Sequence, residues 1–163
     1  MNRKMDTTTG VVVSAVSIFL FTLALISPAS VMGEASPVYE SMQKGKETFI
    51  AECGKCHTLK YAINETYSED DWSLTVGMMV SNGAQLTSGQ KTLIIDYLTT
   101  KSVFEEKCSV CHKLERPLSK TKDLEGWKTT VTRMAGKRQG HLSAEEIEAI
   151  AAFLALGYPE AKD

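Results

Sequence analysis

A chain of 163 residues with a formal net charge of −2 has no basic excess to draw it to nucleic acid. About 128 residues follow the first 35, which by length alone suits one domain. Four Cys in an exported chain would first suggest two disulfides, but the residues around them argue for other chemistry.

Residues 1–35 read as an export segment. Arg3 and Lys4 form a charged start, Val11 to Ile26 form an uncharged, largely apolar run, and small residues follow. That run is short for a membrane span and suits a signal peptide cleaved after Ala35 or Ala29. The alternative is an uncleaved N-terminal anchor, which would hold the protein at a membrane. A helix is predicted from Tyr39 to Cys53, where Cys53-Gly-Lys-Cys56-His57 begins. An irregular stretch follows, then a short helix around Trp72–Ser81. Thr87-x-x-Gln90 is a capping box opening a helix whose apolar face is Leu93, Ile94, Tyr97 and Leu98. No Pro or Gly separates Lys91 from Cys108. That helix therefore either runs straight into the next Cys motif or kinks near Lys101–Ser102. Beyond Cys108 the layout recurs, with a short helix over Gly126–Ala135 and a last helix capped by Ser143-x-x-Glu146. No alternating strand pattern recurs.

The recurrence is an internal repeat. At an offset of 55, Phe49 maps to Phe104, Cys53 to Cys108, Cys56 to Cys111 and His57 to His112. At the same offset Trp72 maps to Trp127, Val76 to Val131 and Met79 to Met134. The sequence thus divides into residues 36–101 and 102–163, two very small units of an all-α fold, joined by a shared or abutting helix. Units of this size bury too little apolar surface for a strong conventional core. A large apolar cofactor would have to complete each one.

Cys-x-x-Cys-His is the attachment sequence for c-type haem. Thiols at i and i+3 share one face of a helical turn, so both can bond to one edge of a porphyrin. The following His then gives its imidazole to iron. A zinc ribbon needs its Cys pairs closer than Cys56 and Cys108, and a thioredoxin-like CxxC needs a βαβ setting. Two local disulfides satisfy the spacing, but two of the chain's three His directly follow the Cys pairs. The expectation is two covalent haems held by Cys53 and Cys56, and by Cys108 and Cys111, with His57 and His112 on iron.

The stretch Gly45-x-x-x-Phe49-x-x-x-Cys53-x-x-Cys56-His57 resembles the first helix and haem motif of class I cytochromes c. The resemblance covers most of residues 38–158. It implies that Gly45 and Phe49 pack against a C-terminal helix whose aromatic residue is Tyr97. The second unit keeps Phe104 and Phe153 but has Thr100 where the Gly should stand. The Trp-x6-Met spacing is also similar to haem domains attached to some quinohaemoprotein dehydrogenases. Each unit is shorter than a typical class I domain, which implies trimmed middle helices.

The repeat pairs Met79 with Met134 as sixth ligands, the His/Met set common in cytochromes c. Met78 is a core residue or a rival ligand, and Met42 has no counterpart. His141, without a repeat partner, reads as a solvated loop residue or an alternative ligand of the second iron. Trp72 and Trp127 either donate to a haem propionate or cover the ring edge. Charge is uneven. From Tyr61 to Thr100 five acids face one base, a net −4, and from Lys113 to Gly140 eight bases face three acids, a net +5.

These features predict a periplasmic di-haem carrier passing electrons between a donor and an acceptor redox protein, with no catalysis of its own. Two other classes stay open: the haem subunit of a dehydrogenase complex, and a haem enzyme or gas sensor.

Overall fold

The computed structural model describes residues 36–159. The expected export segment lies outside the described residues. Those residues hold seven helices and no strand. The helices are α1 (Pro37–Cys53), α2 (Lys60–Ile63), α3 (Glu69–Ser81), α4 (Ser88–Ser109), α5 (Glu115–Leu118), α6 (Leu124–Ala135) and α7 (Ala144–Ala155).

Local chemistry explains most of the boundaries. Pro37 occupies the first turn of α1, where its missing N–H costs nothing. Ser68 and Asp123, again 55 apart, accept from Asp71 N (3.2 Å) and Gly126 N (2.8 Å) and so cap α3 and α6. Both capping boxes form. Thr87 Oγ1 accepts from Gln90 N while Gln90 Oε1 accepts from Thr87 N, and Ser143 and Glu146 do the same at α7. The stretches expected to be irregular each contain one helical turn, α2 and α5, again 55 residues apart.

The two segments related by the 55-residue offset in sequence meet along α4. It runs without a break from Ser88 to Ser109, so the helix opened by the Thr87 capping box also leads into the second Cys motif. At 22 residues it is about 33 Å long, enough to serve a partner at each end. Its N-terminal half crosses α1 at Gly45. A Cβ there would meet Leu93 O at 2.6 Å and Tyr97 Cβ at 3.0 Å, so only Gly lets the two backbones approach this closely. Further along, Phe104 meets Phe153 of α7 at 5.8 Å between ring centroids.

A single core results. Phe49, Ile94, Tyr97, Phe104, Ile150 and Phe153 are all fully buried. Rings link α1, α4 and α7 in sequence: Phe49 to Tyr97 (5.9 Å), Tyr97 to Phe153 (5.5 Å), Phe153 to Phe104. Side chains from both halves of the described chain share this core, which is larger than either half could bury alone. The crossing has a polar cost, because Tyr97 OH is buried without a hydrogen-bond partner among the described residues.

The site weighed for a kink stays helical and is held by a network of hydrogen bonds. Lys101 is fully buried, and its Nζ donates to Glu65 O (2.8 Å) and Glu105 Oε2 (2.8 Å). Glu105 also accepts from Thr66 Oγ1 (2.7 Å) and from Tyr158 OH. Ser102 Oγ accepts from Trp72 Nε1 (3.0 Å) and Tyr67 N (3.1 Å). Satisfied in this way, a polar pair that reads as a break can remain helical inside the protein.

Candidate functional site

Each Cys motif sits where a long helix ends. α1 stops at Cys53 and α4 one residue after Cys108. The following turn carries the second Cys and the His out of the helix. Cys56 and Cys111 are exposed, whereas Cys53 and Cys108 are half-buried. Burial first, then the nearby Glu52 and Cys56, pushes the Cys53 thiol up to about 11. Burial and Cys111 push Cys108 up to about 11 as well. Redox-active CxxC pairs depend on a lowered thiol pKa, so these environments do not suit that chemistry.

Both histidines are oriented by the next residue. The Nδ1–H of His57 donates to Thr58 O (3.0 Å), and that of His112 donates to Lys113 O (3.2 Å). A carbonyl can only accept, so Nδ1 carries a proton, and in the neutral ring Nε2 keeps its lone pair. That tautomer presents Nε2 as the atom able to bind a metal, with the backbone as its outer partner.

Two apolar cavities open beside these motifs. The first, about 450 Å³, is lined by Phe49, Cys53, His57, Trp72, Met78 and Met79 among others. The second, about 240 Å³, is lined by the repeat counterparts Phe104, Cys108, His112, Trp127 and Met134. Residues spread over more than twenty positions of each repeat thus meet at one place. α4 serves both cavities, with Ile94 and Leu98 on the first and Phe104 and Cys108 on the second.

The donor set fits a covalently attached haem. Each cavity combines an apolar wall, a tethering Cys, an imidazole with a free Nε2 and a thioether. In the second cavity the wall also holds an unanswered donor, because Trp127 Nε1 is buried with no hydrogen-bond partner among the described residues. Such a group calls for an acceptor from a bound molecule. No cluster of three or more His, Cys, Asp or Glu able to hold a metal ion occurs among the described residues.

Several expectations are corrected here. Met78 is 55% exposed and is not a core residue, although it lines the first cavity alongside the half-buried Met79. Met42 is buried in the core instead. His141 is half-buried and does not line the second cavity; its Nε2–H donates to Lys107 O at 2.8 Å. That bond ties the loop before α7 to the end of α4. The two Trp differ, because Ser102 already occupies the indole N–H of Trp72 while that of Trp127 is free. Sequence reasoning also missed the polar role of Ser102 and Glu105, whose only local sign is a charged i, i+4 pair, Lys101 and Glu105.

Residues 95–154 match the model of the family described as cytochrome C oxidase, cbb3-type, subunit III. The matched stretch runs from mid-α4 through the second Cys motif and the second cavity to α7. The match supports a c-type cytochrome, and with it haem-based electron transfer. No curated protein and no solved structure matches the chain. No helix among the described residues is long and apolar enough to cross a membrane.

Proposed function

We propose that this protein is a di-haem c-type cytochrome that passes single electrons between redox proteins in the periplasm. One observation carries the reading. The first Cys of each motif and the His, Trp and Met that recur at an offset of 55 line one apolar cavity each, with the second Cys exposed in the turn beside it. Cys53 and Cys56 tether one haem and Cys108 and Cys111 the other. His57 and His112 supply the proximal nitrogen through Nε2, held in orientation by the Nδ1–H bonds to Thr58 O and Lys113 O. Met79 and Met134 would offer a thioether to the iron, and Met79 is preferred to Met78 because it is the less exposed of the two. A haem so bound supplies a one-electron ferric/ferrous couple. Phe49, Trp72 and Ile94 around one cavity, and Phe104, Trp127 and Leu154 around the other, exclude water and limit rearrangement. No residue is assigned a catalytic role. The charged start and apolar run within residues 1–35 support export, where covalent haem attachment is expected.

The matched family model describes an oxidase subunit. That favours, as a second reading, a haem subunit of a larger electron-transfer enzyme, which stable co-purification with a large partner would identify.

The test is expression with a c-type maturation system. Two haems should survive acid–acetone extraction, with Cys53→Ala plus Cys56→Ala removing one and Cys108→Ala plus Cys111→Ala the other. Met79→Ala and Met134→Ala should each remove one sulfur-to-iron charge-transfer band, and Met78→Ala should remove none. Zinc in place of iron, or bands that survive both methionine changes, would overturn the assignment.

A further inference from the structure

The two cavities share their chemistry and differ in charge. Besides His112, the second is lined by four cations, Arg116, Lys120, Lys122 and Arg133, and by no acid. The first is lined by one acid, Glu65, and no Lys or Arg. The flanking sequence repeats the contrast, because Glu69, Asp70 and Asp71 form the first turn of α3. Lys122 is held in place, donating to Thr130 Oγ1 at 2.6 Å and lying 5.4 Å from the centre of the Trp127 ring. The free Trp127 Nε1 adds a neutral donor to the same wall, while its counterpart on Trp72 is taken by Ser102. The one buried charge of α4, Lys101, is offset by its half-buried partner Glu105.

We infer that this difference sets the direction of electron flow, making the second cavity the higher-potential site and the first the point of entry. The inference rests on the di-haem reading above. Reduction adds one negative charge at the iron. Nearby cations stabilise that charge and nearby acids oppose it. One electron arrives from a one-electron donor protein. It then leaves the ferrous iron of the first site, which becomes ferric, and reduces the ferric iron of the second. A unit charge about 10 Å from a redox centre, at an effective dielectric of about 20, changes such an equilibrium on the order of tenfold. Arg116, Lys120, Lys122 and Arg133 are exposed, so solvent weakens each of them and the effect must be read at low salt.

The experiment is a potentiometric titration of the full holoprotein at low ionic strength, followed in the visible spectrum. Lys120→Gln with Lys122→Gln should lower one midpoint by about tenfold in its equilibrium, about 59 mV for one electron. The midpoint that moves should be the higher of the two. Glu65→Gln should raise the lower midpoint and leave the other in place. Added salt should shrink the wild-type gap. Far-ultraviolet circular dichroism and haem content establish that each variant is folded and loaded. Two loaded haems whose lower midpoint responds to the lysines, or neither of whose midpoints moves, would overturn the inference and leave the di-haem reading standing. A chain that binds fewer than two haems would overturn both.

Discussion

Gly45→Ala tests whether the α1–α4 crossing holds the first cavity together. The added Cβ would lie 2.6 Å from Leu93 O and 3.0 Å from Tyr97 Cβ. The first of these is backbone inside a helix and cannot swing aside. The two helices must therefore part by roughly half an ångström or more to restore van der Waals distance. Overpacking of this kind costs about 1–3 kcal/mol, against about 1 kcal/mol regained from the better helix propensity of Ala. The upper part of the range applies, because the shift also loosens Phe49 against Tyr97, and Phe49 lines the cavity. A net loss of about 2 kcal/mol lowers Tm by roughly 8 °C. Gly77→Ala is the control, since nothing lies within 4 Å of a Cβ at that position in α3. It should raise stability by about 0.5–1 kcal/mol through propensity alone. Guanidinium unfolding of the holoprotein, followed by circular dichroism, measures both. Equal stabilisation by the two substitutions would refute the close-crossing argument.

Three further outcomes follow from the polar seam and its surroundings. Glu105→Gln leaves Lys101 buried without a counter-charge and should cost about 3–5 kcal/mol in denaturant unfolding, with Lys101→Met in the same chain recovering part of it. Ser102→Ala strands the buried Trp72 Nε1 and should cost about 1–3 kcal/mol, read as a lower unfolding midpoint together with a changed tryptophan signal. Partial desolvation by the neighbouring helices first, then the nearby Glu69, raises the carboxyl of the largely exposed Asp96 above its ordinary value of 3.8. Between 3.8 and that raised value the folded state holds the extra proton, so stability rises as pH falls through the window. Asp96→Asn should therefore raise Tm at pH 7, and thermal melts at successively lower pH should show the gain vanishing towards 3.8.

The sequence by itself determined what depends on neighbours within a turn or two. The capping boxes at Thr87 and Ser143, the absence of a breaker between Lys91 and Cys108, the CxxCH spacing and the 55-residue offset are all local patterns. Hydrogen bonds between residues three apart enforce the caps without help from the rest of the fold. What only the tertiary structure decided depends on which distant segments meet. Lys101 and Ser102 look like a break until Glu65, Tyr67 and Trp72 arrive to satisfy them. Trp72 and Trp127 are equivalent in the repeat, but only one finds a serine, because the residue supplied by α4 at that crossing is Ser102. His141 looks free until the end of α4 offers Lys107 O. Four cations that read as scattered surface charge line one cavity, because α5, the loop after it and α6 bring them to the same wall. Periodicity and spacing encode the backbone's local choices, whereas burial, partner and field at each side chain are set by surfaces that exist only after the helices have packed.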